Sequence, residues 1–160
     1  MIEVNNLTKR YKVRGETVFA LNDVTVSFAD GTYTSVTGPS GSGKSTLLFT
    51  IAGLVPPSSG SVTVDDQSMY DLSPSERARI RANRMGFVYQ MFYLVPYLTV
   101  RENVAVALGA RGLKGSPELV NKVLDRVGLS RRLNHKPGEL STGEQQRVAL
   151  ARAVVNGPQV

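Results

Sequence analysis

A chain of 160 residues has room for one domain with its own core and is short for two. With 41% hydrophobic and 20% charged residues it falls outside the disordered class, and the absence of cysteine excludes disulfides and thiolate metal sites. A net charge of +6, from 19 Lys and Arg against 13 Asp and Glu, suits anionic partners such as nucleotides, nucleic acid or lipid head groups without choosing among them.

The first residues, "MIEVNNLTKRYK", contain no apolar core of a secretory signal, and no leader is expected. Residues 2–8 and 17–28 read as strands from alternation such as Val24, Val26 and Phe28. "ADG" (29–31) is a turn, and "TYTSVT" (32–37) is a further strand that runs into a glycine-rich loop. A helix over about 44–54 follows, closed by Gly53 and the "PPSSG" turn. The apolar stretch within it, "LLFTIAGLV" (47–55), is too short to span a bilayer. "SVTV" (61–64) is another short strand, and "MGFVYQ" (85–90) a compact one.

Three capping boxes punctuate the remainder. Ser73-Pro74-Ser75-Glu76 opens a helix over 74–83, Thr99-Val100-Arg101-Glu102 one to about 109, and Ser141 with Glu144 the last. Ser116-Pro117 opens a fourth, which Gly128 stops near 127. Strands dominate the first ninety residues and helices the rest. The expected fold is therefore α/β with an attached helical lobe.

"GPSGSGKS", Gly38 to Ser45, fits G-x-x-x-x-G-K-[ST] and lies between a predicted strand and a predicted helix, where that motif belongs. Gly38, Pro39, Ser40, Gly41, Ser42 and Gly43 form a loop whose backbone N–H groups converge on phosphate oxygens, ahead of Lys44, Ser45 and Thr46 at the positive end of a helix. Lys44 would reach the β and γ phosphates, and the Ser45 hydroxyl would ligate Mg²⁺.

With this loop, the "FVYQ" segment ending at Gln90 and "LSTGEQQRVALARA" (140–153) in that order, the sequence resembles the ATP-binding subunit of ABC transporters. The resemblance runs over nearly the whole chain. "LVPYLTVRENV" and "VGLSRRLNHKPGELS" are most similar to the subgroup serving lipoprotein release, macrolide export and cell division. It implies a P-loop NTPase core with an N-terminal antiparallel β portion (about 1–90) and a helical subdomain with the signature helix (about 91–157). It also implies ATP and Mg²⁺ as cofactors, a head-to-tail homodimer, a membrane permease partner, a cytoplasmic location on the membrane face, and no nucleic acid.

By the same resemblance Tyr11 is the aromatic that stacks on adenine, although a tyrosine finishing an edge strand has the same appearance. Gln90 contacts Mg²⁺ or the attacking water and senses the membrane partner. Ser141, Thr142, Gly143 and Glu144 face the γ-phosphate on the partner's P-loop. Ser141 then has two jobs, capping its helix or donating to that phosphate, and Gly143 gives backbone clearance. Thr142 departs from the family's usual two glycines, and its side chain either crowds the phosphate or adds a donor.

Other features have plainer readings beside functional ones. "MFYLVPYL" (91–98) is apolar and aromatic, suited to packing inside the lobe or to docking a coupling helix. His135, the one histidine, reads as structural. Arg77, Arg79, Arg81 and Arg84 read as a solvated face, since no aromatics interleave with them for base stacking.

In the family an apolar strand ending in Asp-Glu follows the signature helix within about ten residues, and a switch histidine follows later. This sequence stops at "NGPQV", so the resemblance implies an ATPase domain without its C-terminal part. Such a piece is expected to bind nucleotide, to hydrolyse it poorly, and to be marginally stable. Two other readings stay open: an ABC-type ATPase outside transport, and a nucleotide-binding module without catalysis. Chromosome-maintenance heads insert a long coiled coil between P-loop and signature. No sustained heptad lies between Lys44 and Ser141.

Overall fold

Arg14 (φ 51°) and Gly15 (φ 87°) turn the chain sharply between β1 (Ile2–Val13) and β2 (Glu16–Phe28). Two successive left-handed residues make the turn whose twist matches a hairpin, which is why β1 runs five residues past the strand expected at 2–8. The computed structural model describes residues 1–112 and 116–160. Its four-stranded sheet has the order β2-β1-β3-β4, with β3 at Ser59–Val64 and β4 at Gln67–Ser68, and every pairing is antiparallel.

Contacts divide the described residues into two compact units, Met1–Ala78 and Arg79–Val160. In the first, the inward positions Ile2, Val4 and Leu7 of β1 and Val62 and Val64 of β3 are buried, as is Leu47 of α1 (Lys44–Ile51). Ile2/Val4 and Val62/Val64 follow the period of two that a half-buried antiparallel sheet requires, and the irregularity at Asn6 (φ 48°) shifts that phase to Leu7. Beyond Thr8 only β2 accompanies β1, so Tyr11, Val13, Val18 and Phe19 remain exposed on the hairpin.

The second unit is built on α3 (Val100–Gly109), α4 (Pro117–Arg126) and α5 (Thr142–Val154). Val104, Leu108, Leu124 and Val148 are fully or almost fully buried in its core, at the helical spacing each apolar stripe predicts. The helix α2 (Pro74–Arg84) spans the division. All three expected capping boxes form. Ser73 N–H donates to Glu76 Oε2 at 2.8 Å, and the Thr99 and Ser141 boxes are complete in both directions.

Two expected strands are absent among the described residues. Residues 32–37 are non-regular and exposed apart from half-buried Val36. Residues 85–90 make a single rung of parallel type: Val160 N–H donates to the Arg84 carbonyl (3.0 Å) and Gly86 N–H to the Val160 carbonyl (2.8 Å). Both segments have strand composition, but a strand exists only through its ladder, and parallel pairing needs neighbours that one rung does not supply. The helix expected to 54 ends at Ile51, because Gly53 adopts φ 68° two residues later. The solvated arginine face holds only at exposed Arg79, because Arg77, Arg81 and Arg84 are half-buried. Arg77 lies over the Tyr70 ring at 5.4 Å and donates to the Leu72 carbonyl.

Candidate functional site

The loop 38–43 meets α1 at Gly43, which caps the helix at φ 88° with no side-chain cap. Gly38 (φ 150°) and Gly41 (φ 80°) also lie in the region that favours glycine. At Gly43 the requirement is doubled, because a Cβ there would lie 2.0 Å from the Ala20 carbonyl oxygen of β2. Sheet and loop thus approach so closely that only glycine fits. Lys44 folds over the loop, donating through Nζ to the carbonyls of Gly38 (2.9 Å) and Pro39 (2.7 Å). Its ammonium therefore lies beside a helix start that no described side chain caps. Ser45 is exposed and Thr46 half-buried in the same first turn. A glycine-rich turn at a helix N-terminus with a lysine ammonium folded over it has the chemistry to hold a phosphate. The hydroxyl beside them fits a small hard cation.

Tyr11 is elsewhere on the first unit. It pairs with Val18 on the hairpin, 41% exposed, with Lys9 Nζ 5.1 Å from its ring centroid. Among the described residues no hydrogen bond or ring contact joins it to the loop. An exposed, cation-flanked ring still offers a free π face.

In the second unit Ser141, Thr142, Gly143 and Glu144 come together at the start of α5. Ser141 Oγ accepts from Glu144 N–H (3.3 Å) and donates to Glu144 Oε2 (3.0 Å), so its proton is committed to the carboxylate. Glu144 also accepts from Ser141 N–H at 2.8 Å and from Arg132 Nε at 2.9 Å. The Ser141 backbone and hydroxyl bonds, with Arg132, hold its carboxyl down from 4.5 to about 2. Gly143 is unlike Gly43: an added Cβ would meet only Arg147 Nη1, at 3.7 Å. Nothing among the described residues requires glycine at 143. Thr142 is the first residue of α5 and is exposed.

Gln90 is exposed at a turn, closed by Phe92 N–H donating to the Tyr89 carbonyl at 3.0 Å. The aromatic segment after it divides between its two expected fates. Leu94 packs against the helical core, while Met91, Tyr93 and Tyr97 are 73%, 65% and 74% exposed. His135 is structural as read, with its carbonyl accepting from Val100 N–H (2.8 Å) and its ring 3.2 Å from Arg132 Nη1.

Three residues escaped sequence reasoning. Fully buried Asn103 bonds both the N–H and the carbonyl of Val95 (2.7 and 3.1 Å) and the carbonyls of Leu98 and Thr99. Its signal was legible, since it falls on the apolar stripe with Val100 and Val104. Arg132 and Arg152 left none, because their partners are distant carboxylate or carbonyl oxygens that no local pattern announces.

The description "ABC transporter" belongs to the family profile that matches residues 21–160. The chain belongs to the ABC transporter ATP-binding family. It is 39% identical to the lipoprotein-releasing system ATP-binding protein LolD of Wigglesworthia glossinidia brevipalpis, and 42% identical to the ABC transporter ATP-binding protein MJ0796 of Methanocaldococcus jannaschii. Both matches cover 100% of this chain and 71% of the relative. The fold superposes with a TM-score of 0.92 on two MJ0796 structures, at 41% identity over 99% of this chain and 71% of theirs. One is described as a dimeric cassette, the other as a dimeric post-hydrolysis state bound to ADP and Pi. The ABC ATPase fold expected from the motifs is thereby established for this ABC chain, mixed α/β with an antiparallel N-terminal sheet. None of its described helices is long and apolar enough to cross a membrane.

Proposed function

We propose that this chain is the ATP-binding motor subunit of an ABC transporter, in which ATP-driven head-to-tail pairing of two copies is transmitted to a membrane permease. The observation that carries the reading is the helix start at Gly43: glycine-lined, lysine-covered and capped by no side chain of its own. The likeness to LolD and to a dimeric MJ0796 cassette supports transport and pairing.

The loop 38–43 would cradle the phosphates, with Lys44 exchanging its carbonyl partners for phosphate oxygens as nucleotide enters. Ser45 fits Mg²⁺ through its hydroxyl, and Gln90 keeps the metal- and water-contacting role that the resemblance implies. Bound Mg²⁺ would neutralise phosphate charge and polarise the bond to be broken. Tyr11 supplies the stacking face for adenine. Ser141 releases Glu144 and donates to the γ-phosphate on the partner's loop, while Gly143 leaves room for that phosphate. Exposed Met91, Tyr93 and Tyr97 would present an apolar surface to the permease, on the cytoplasmic membrane face that the family resemblance implies.

Taken by themselves these 160 residues are proposed to bind nucleotide and turn it over slowly, because the Asp-Glu that follows the signature in the family is not among them. A positioned general base contributes about 10²–10⁴ in rate.

Calorimetric titration with Mg-ATP, beside sedimentation with and without nucleotide, tests the core of this reading. Binding that drives dimer formation is expected. No heat of binding, with the chain folded, would overturn it.

A further inference from the structure

Arg152, on α5, reaches out of the signature helix to two successive carbonyls of the aromatic segment. Its Nη1 donates to the Tyr93 carbonyl at 2.7 Å and its Nη2 to the Phe92 carbonyl. Phe92 (φ 57°) and Tyr93 (φ 46°) are both left-handed, a conformation that bulky residues adopt only when their surroundings impose it. Here it turns both carbonyls toward one planar guanidinium while the side chains of Met91 and Tyr93 stay exposed. Tyr89 and Tyr93 meet edge to face, with centroids 5.4 Å apart. At the far end Asn103 fastens Val95 to α3. Between these two fixings only Leu94 enters the core. The loop is thus strapped by its backbone, at one end to the helix that begins with Ser141.

We propose that Arg152 is a positioning residue that fastens the exposed aromatic loop to the signature helix, so that whatever displaces the loop displaces α5 with it. About 16 Å of continuous helix separates Arg152 from Ser141, and an α-helix transmits displacement along its axis as a rod. Two carbonyls on a planar fork cannot slide independently, whereas a lysine ammonium can follow one and release the other. The functional consequence rests on the reading above, in which the loop meets a permease and Ser141 meets the partner's nucleotide. The fastening itself does not.

The absence of cysteine makes a direct test simple. Spin labels at Met91→Cys and Gln146→Cys report the loop against α5. Labels at Leu119→Cys and Gln146→Cys report α4 against α5 as a control; all three positions are exposed. The 91–146 distance distribution is expected to be narrow, to lose its narrowness in Arg152→Met, and to be intermediate in Arg152→Lys. The control pair should not change. A 91–146 distribution still narrow in Arg152→Met overturns the proposal. If that variant also broadens the control pair, Arg152→Lys decides: selective broadening of 91–146 supports the strap and no change overturns it. Mg-ATP binding is measured on the same unsubstituted chain. Its absence would remove the nucleotide reading and leave the strap to be decided by the distances.

Discussion

An alanine methyl at Gly43 would lie 2.0 Å from the Ala20 carbonyl oxygen on a φ of 88°, whereas at Gly143 it would meet nothing nearer than 3.7 Å. Gly43 is therefore required by this chain's own folding, whereas the described residues leave room for a side chain at 143. Gly43→Ala is expected to cost more than about 2 kcal/mol, from the left-handed strain and the clash together. It should lower the midpoint of urea unfolding and abolish nucleotide binding. Gly143→Ala should leave that midpoint unchanged and weaken ATP-driven pairing, which sedimentation separates from folding. Lys44→Ala removes charge-assisted phosphate contacts and should cost about 2–3 kcal/mol of Mg-ATP affinity by calorimetry, with the melting curve of the free chain little altered. Both the loop and its lysine were legible from residue types and spacing alone. The clash with Ala20 was not, since it arises from a close approach of β2 that no local pattern encodes.

Capping was the most legible feature at the scale of the element. Ser73, Thr99 and Ser141 each sit three residues before a glutamate, and each box forms. The Ser141 box has a pH signature because Glu144 is held near 2 rather than 4.5. A carboxyl whose folded value is depressed contributes stability in full above its unfolded value, and that contribution is lost as pH falls through the folded one. Carboxyl chemical shifts of Glu144 should therefore titrate near 2, while α5 loosens between about pH 4.5 and 2. Arg132→Met should raise that midpoint, since it removes the ion pair and leaves the cap. Asn103 acts between elements. Asn103→Ala strands the part-buried Val95 N–H and carbonyl, and should destabilise the helical unit by about 2 kcal/mol in urea unfolding. Strands were less legible than helices here. Residues 32–37 and 85–90 have the right composition, but a helix closes its own hydrogen bonds and a strand depends on what lies beside it.

For the whole molecule, the P-loop and the signature of one chain belong to different sites if two copies pair head to tail. That arrangement makes a complementation prediction. Lys44→Ala and Ser141→Ala should each fail to pair with ATP, and an equal mixture should recover it. A mixed dimer joins both defects in one site and leaves the other intact. Sedimentation of the mixture with Mg-ATP checks this, and failure of the mixture with two folded parents would exclude the head-to-tail arrangement. The family, the glycine-rich loop, the capping boxes and the order of motifs were all readable before folding, because they depend on residue type and short spacing. Tertiary contact alone settled that Gly43 is forced by β2, that Arg132 joins the Ser141 cap at Glu144, and that the aromatic loop is strapped by Asn103 and Arg152. Each of these depends on groups between 8 and 60 residues apart, and at such separations folding alone sets which polar groups meet.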